Sequence, residues 1–144
     1  MERTSPQSEN RVRGVVAVLL RDDRFLVIQR AKDIIAGGAW CLPGGAIEAG
    51  ETPQKAMIRE MREELGLAVR PIRKLWQCRG IDYPNDLEWW HVEPATPEDY
   101  ALSPNPEEVA EVCWLTPEET AGLEGLLETN HRFLREWPRI RRGM

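Results

Sequence analysis

Histidine and cysteine are scarce in this chain, and the shortage removes several classes of chemistry. Cys41, Cys78 and Cys113 lie far apart with no CxxC spacing, and His91 and His131 are the two histidines that could join them. Neither a zinc site nor a disulfide framework follows, so reduced thiols in a cytoplasmic protein are expected. No stretch approaches the roughly 20 apolar residues of a membrane span, and the opening MERTSPQSEN lacks the apolar run of a signal peptide. No membrane partner is expected. Excess positive charge is missing too: the net charge is −5, which offers no general field to nucleic acid. The one basic cluster, PRIRRGM, reads as a frayed, solvated end.

What is present suits a folded domain. A composition 42% hydrophobic and 30% charged over 144 residues is enough to bury a core. Residues 1–10 read as a disordered tail and residues 11–144 as one domain. VRGVVAVLL and RFLVIQR, separated by the polar RDD, predict a strand hairpin. AKDIIAGGAWCLPGGAIEAGE is a long Gly-rich connection into a helix. Strands follow at PIRKLWQCRG, EWWHVE and VAEVCWL. Thr116, Pro117 and Glu119 form a capping-box pattern opening another helix, and NHRFLREW predicts a last one. Strands interspersed with a few helices indicate a layered α/β or α+β domain.

The helix after the Gly-rich connection carries an unusual load. Thr52 suits its N-cap, Pro53 its first position and Gly66 its left-handed C′ position. At about 100° per residue, Glu60, Glu63 and Glu64 fall within one arc of about 100°. Met57, Met61, Leu65 and Ile58 form an apolar stripe beside them. Taken alone, such a trio is more often a solvated acidic face. Its neighbours point further. The acids flank a buried seam, and the preceding loop is rich in glycine, allowing close backbone approach. Hard dications such as Mg²⁺ take oxygen ligands and commonly share them with substrate phosphates. No EF-hand spacing is present.

At these residues the sequence resembles the Nudix hydrolase family, whose signature is G-x5-E-x7-R-E-U-x-E-E-x-G-U, with U a bulky aliphatic residue. Gly45, Glu51, Arg59, Glu60, Met61, Glu63, Glu64, Gly66 and Leu67 fill every specified position. The resemblance implies an α/β/α sandwich around a mixed sheet. It also implies hydrolysis of a nucleoside diphosphate linked to another moiety, with Mg²⁺ or Mn²⁺. Glu60, Glu63 and Glu64 would hold the ion, with the Gly44 carbonyl as a further ligand. Arg59 would pair with Glu51 or orient the catalytic carboxylate, and Gly45 would serve the substrate loop. Glu60 is the first candidate for general base, then Glu63 or Glu64. Some members of the family place the base in a later loop, where Glu107, Glu108 and Glu111 stand.

Substrate identity lies outside the signature. Tyr83, Trp89, Trp90 and Trp76 are candidate platforms for a nucleobase. Trp89 and Trp90, adjacent in a strand, must face opposite ways. Glu93 is a further candidate for reading a base edge or binding metal. In the family, a Tyr near position 83 suggests dinucleoside polyphosphates and a Pro near position 84 suggests ADP-ribose; together they cancel. A (d)NTP is the favoured small-molecule substrate. ADP-ribose, sugar nucleotides, dinucleoside polyphosphates and a non-catalytic nucleotide sensor stay open. A homodimer is compatible with the reading.

Overall fold

The computed structural model describes residues 11–80 and 84–144. The expectations for residues 1–10 and for Tyr83 lie outside the described residues. The elements run β1 (Val12–Arg21), β2 (Arg24–Arg30), β3 (Trp40–Cys41), β4 (Gly44–Ala46), α1 (Pro53–Leu65), β5 (Val69–Arg79), β6 (Asn85–Pro94), β7 (Val109–Leu115), α2 (Pro117–Ala121) and α3 (Glu128–Arg142). The sheet order is β3-β2-β1-β6-β5, with β4 also pairing β1 and β7 also pairing β2. β1 runs parallel to β6, and the other pairs are antiparallel. The sheet is therefore mixed, as expected.

Alternation along β1 sorts the core into two layers. Val15, Ala17 and Leu19 face a cluster containing Met57, Met61 and Leu65 of α1. Val16 and Val18 face the opposite cluster, with Phe133, Trp137 and Ile140 of α3. Successive strand residues point to opposite faces, so one apolar strand serves both helices. The result is an α/β/α sandwich. At the β1–β2 hairpin, Asp22 and Asp23 both have positive φ, 52° and 63°. Such a two-residue turn matches the right-handed twist of its strands, and Asp tolerates it better than most residues.

Two expectations need correction. The Gly-rich connection contains two short strands, β3 and β4, because its glycines let it lie against β1 and β2. The C-terminal basic segment is also not frayed: α3 continues through Pro138 to Arg142. A helix-interior proline costs about 3 kcal/mol. Here Trp137 and Ile140 on either side are both buried against the sheet, each contributing roughly 2 kcal/mol, which offsets it. The arginines themselves are solvated, Arg139 and Arg141 being mostly exposed. No described helix is long and apolar enough to cross a membrane.

Candidate active site

The acidic helix begins as its sequence dictates. Thr52 accepts a hydrogen bond from the Lys55 N–H, and Pro53 occupies the first turn. It ends at Gly66, where φ of 64° and bonds from Gly66 N–H to Arg62 O and Leu67 N–H to Met61 O close the last turn. Gly66 also lets Ser103 approach: a β-carbon there would lie 2.9 Å from the Ser103 β-carbon. The Ser103 and Asn105 N–H groups then donate to Leu65 O and Glu64 O at 2.7 and 2.8 Å. The free end of α1 is thus capped by the loop before β7, which carries Glu107 and Glu108.

Arg59 organises the acids. Its Nε and Nη2 make a two-pronged contact with Glu51 at 2.6 and 2.9 Å, and Nη1 donates to Glu60 at 2.9 Å and Glu63 at 3.2 Å. Nη2 also donates to the Ala46 carbonyl at 2.8 Å, fastening α1 to β4. A planar guanidinium can make this fork, and an ammonium cannot. Arg59 therefore pairs with Glu51 and orients Glu60 at once. The guanidinium beside Glu51, helped by the Glu48 N–H, holds that carboxyl down to about 2. Glu51 in turn holds the Arg59 charge more firmly than usual.

Glu60 and Glu64 have a different environment. Burial raises the Glu60 carboxyl above its ordinary range, against the pull of Arg59. Glu64 is only 6% exposed, and burial first, then the charges of Glu60 and Glu108, push its carboxyl up to about 9. Its Oε1 is buried with no hydrogen-bond partner. A buried carboxylate oxygen left unpaired costs several kcal/mol unless something cationic answers it. Arg30 pulls the other way, less strongly than burial and the two acids push. Glu63 stands apart, its side chain 57% exposed.

Among the described residues, no three His, Cys, Asp or Glu side chains converge into a ready-made cage for an ion. The donors nevertheless fit a hard dication. Glu64 presents an orphaned oxygen, Glu60 and Glu108 add negative charge beside it, and all the donors are oxygen. Gly45 packs directly on Glu60, so that a β-carbon there would run into the carboxylate. Of the later acids, Glu108 acts on both Glu60 and Glu64.

A cleft of about 410 Å³ opens along β4; none of the α1 acids lines it, and the link to them is Gly45, on which Glu60 packs. Gly44 and Gly45 line it, as do Val12, Val15 and Val16 of β1, Leu42, Asn85 and Leu87 of β6, and Asn130 of α3. Asn130 is buried and its Oδ1 accepts the Leu42 N–H at 2.9 Å. Asn85 holds a buried Oδ1 with no partner. Such a space, mostly apolar with a few aimed polar groups, has the character of a small-molecule site. Sequence reasoning missed Arg30, Leu87, Asn85 and Asn130. No local signal marks them, because the fold assembles them from three distant segments, β2, β6 and α3.

The aromatic candidates fall elsewhere. Trp89 is 0% exposed and stacks on Phe133 with centroids 4.5 Å apart, so it is a core residue and not a base platform. Trp76 packs in the same cluster. Trp90 does face the other way, against the α1 layer, with its Nε1–H on Glu88 at 3.0 Å. None of the three lines the cleft. Glu93 pairs with Arg70 at the surface. Cys41, Cys78 and Cys113 are free thiols.

A mixed-sheet sandwich with an Arg-bridged acidic helix beside a nucleoside-sized cleft defines a class, and comparison with known proteins agrees. The family model for the NUDIX domain matches residues 10–137; the chain belongs to the Nudix family. "Putative 8-oxo-dGTP diphosphatase 3" of Mycobacterium tuberculosis is 31% identical over 140 residues, 89% of this chain and 61% of that protein. The CTP pyrophosphohydrolase of Escherichia coli is 40% identical over 53 residues, 37% of this chain and 39% of that protein. The chain thus spans less than two thirds of these relatives. Among solved structures, the E. coli ORF135 protein superposes with a TM-score of 0.75 at 25% identity, covering 96% of this chain and 97% of that one. A MutT protein of Methanosarcina mazei Go1 superposes at 0.73 with 21% identity, covering 92% and 94%; that likeness concerns the fold.

Proposed function

We propose that the chain hydrolyses a phosphoanhydride bond of a nucleotide, with a (d)NTP as substrate and a divalent cation, Mg²⁺ or Mn²⁺, as cofactor. The observation carrying this reading is the orphaned, buried Glu64 oxygen beside Glu60 and Glu108, with Glu60 packed on Gly45 of the wall of a cleft sized for a nucleoside. Relatives bearing the names of an 8-oxo-dGTP diphosphatase and a CTP pyrophosphohydrolase support the substrate class.

Glu60, Glu63, Glu64 and the Gly44 carbonyl would hold the cation. When bound, the cation neutralises phosphate charge and makes water more acidic. Glu60 is assigned the proton of the attacking water: its burial makes it a stronger base than an ordinary carboxylate, and Arg59 fixes its direction. The water oxygen bonds to phosphorus, the bridging P–O bond breaks, and the departing phosphate keeps the electron pair. Glu108 is the second candidate for this proton, since its charge acts at both Glu60 and Glu64. Arg30, on the cleft wall, would meet the phosphate tail. Asn85 and Asn130 would meet the base edge. Both relatives' named substrates carry an exocyclic amine, which the unpartnered Asn85 Oδ1 suits.

The test is a panel of (d)NTPs, 8-oxo-dGTP, ADP-ribose, sugar nucleotides and diadenosine polyphosphates, with product identification. Turnover of nucleoside triphosphates that EDTA stops and Mg²⁺ or Mn²⁺ restores is expected. Turnover of ADP-ribose or dinucleotides alone would move the substrate assignment. Binding without any turnover would make the chain a nucleotide sensor.

A further inference from the structure

Among the described residues Ile35 is the most exposed large apolar side chain, at 74%. One exposed isoleucine is unremarkable by itself. Its setting is not. Ile35 and Ala36 line the cleft, as Gly44 and Gly45 do. Ile35 belongs to neither core cluster, so folding does not require its methyl groups where they are.

The segment is nevertheless held firmly. Arg30 Nε donates to the Ile35 carbonyl at 2.8 Å, the Gly38 N–H to Arg30 O at 2.9 Å, and the Ala39 N–H to Ala36 O at 3.2 Å. Ala36 sits at φ 57°, a left-handed conformation that a β-carbon disfavours. Gly37 has no room for a side chain, because a β-carbon would collide with the Lys32 carbonyl. A segment so constrained keeps Ile35 on the cleft lining, exposed, instead of letting it fold back onto the surface. Arg30, a candidate phosphate contact, is tied to the same carbonyl.

We propose that Ile35 is a specificity-determining residue, an apolar jaw that packs on the face of the nucleobase once a nucleotide enters. This rests on the reading that the cleft takes the nucleoside. An apolar contact to a ring face is available to every base and to no base-free polyphosphate. Ile35 would therefore separate nucleotides from base-free phosphates while leaving base identity to the amide groups deeper in.

The experiment is calorimetric titration in Mg²⁺ with the α,β-methylene analogues of dCTP and dGTP, and with inorganic tripolyphosphate as base-free probe. Ile35→Ala is expected to weaken the tighter-binding nucleotide analogue about ten-fold, with tripolyphosphate unchanged and Ile35→Leu within about two-fold of the parent. Circular dichroism checks that each variant folds. Equal loss for both ligand types, or no loss for either, overturns the proposal and leaves Ile35 as loop structure. A parent protein that binds these analogues but hydrolyses no nucleotide sinks the catalytic reading alone. A parent that binds neither analogue sinks both.

Discussion

Phe133→Ala tests whether the α3 layer holds the substrate cleft together. Phe133 is fully buried and lies one turn beyond Asn130. It stacks on Trp89 at 4.5 Å with planes only 6° apart, and contacts Phe25, Trp76 and Trp137 at centroid distances of 6.1, 6.0 and 5.6 Å. Deleting a buried phenyl ring costs about 3–5 kcal/mol, from lost transfer energy and the cavity left behind. The aromatic neighbours favour the upper half of that range. Against a typical domain stability of about 5–15 kcal/mol, the variant folds with a much smaller margin. Its melting temperature should fall by roughly 8–15 °C.

The consequence for function has a direction. Loosened, α3 no longer fixes Asn130, whose Oδ1 accepts the Leu42 N–H at the cleft wall. The acids lie on α1, across the sheet. Below the melting point, KM for nucleotide should therefore rise several-fold while kcat changes less. Urea unfolding followed by circular dichroism gives the stability, and steady-state kinetics give the split. Phe133→Leu is the control, expected to cost roughly 1–2 kcal/mol. A Phe133→Ala loss below about 1 kcal/mol would refute the packing argument. A kcat collapse at unchanged KM would refute the division of labour between the layers.

Three further outcomes follow from the acidic cluster. Glu64→Gln should cut turnover by orders of magnitude yet raise the melting temperature of the metal-free protein near neutral pH, because it removes a buried carboxyl that must take up a proton on folding; undiminished turnover refutes the assigned role. Gly45→Ala should leave the chain folded but impair activity, since its methyl displaces the Glu60 carboxylate; kinetics matching the parent would contradict that contact. Glu51 is held down to about 2 by Arg59, so its contribution is present above the ordinary carboxylate range and is lost as pH falls from about 4.5 toward 2. Thermal unfolding across that window should slope less steeply in Glu51→Gln, and parallel curves would show that Glu51 is not the titrating group.

How much of this was legible depended on whether the cause was local. Thr52, Pro53 and Gly66 bound α1 where their backbone preferences put them, and the Thr116–Glu119 capping box forms in full. Trp89 and Trp90 do face opposite ways, because strand geometry leaves no alternative. What stayed hidden was long-range. That the charge of Glu108 reaches Glu60 and Glu64 depends on the docking of Ser103 and Asn105 onto the end of α1. Asn130 resembles any helix-start asparagine until Leu42 N–H meets it from 88 positions away. The run of α3 past Pro138 depends on Trp137 and Ile140 finding a face of the sheet to bury against. Pattern alone stopped at the proline.

The paired glycines before the acidic helix need more than loop flexibility to explain them. β1 is shared: along Val12–Leu19 it pairs with β6, while its other edge pairs with β4 at Gly14–Val16 and with β2 only at Leu20–Arg21. β4 thus takes the place along β1 that a continuous hairpin would have given to β2. Gly44 lies so close to β1 that a β-carbon would strike the Val15 carbonyl, and Gly45 so close to α1 that one would strike Glu60. One glycine admits the strand to the sheet and the other admits the acid to the strand. Arg59 locks the second contact by donating to Ala46 O and Glu60 together. The spacing between Gly45 and the glutamates is therefore a distance requirement: it carries the chain from the sheet edge, around the Glu51 turn, and back along one helix to set a carboxylate against its own starting point. Any insertion between Gly45 and Glu60 that leaves both ends folded should separate them, and activity should fall even with every acid retained.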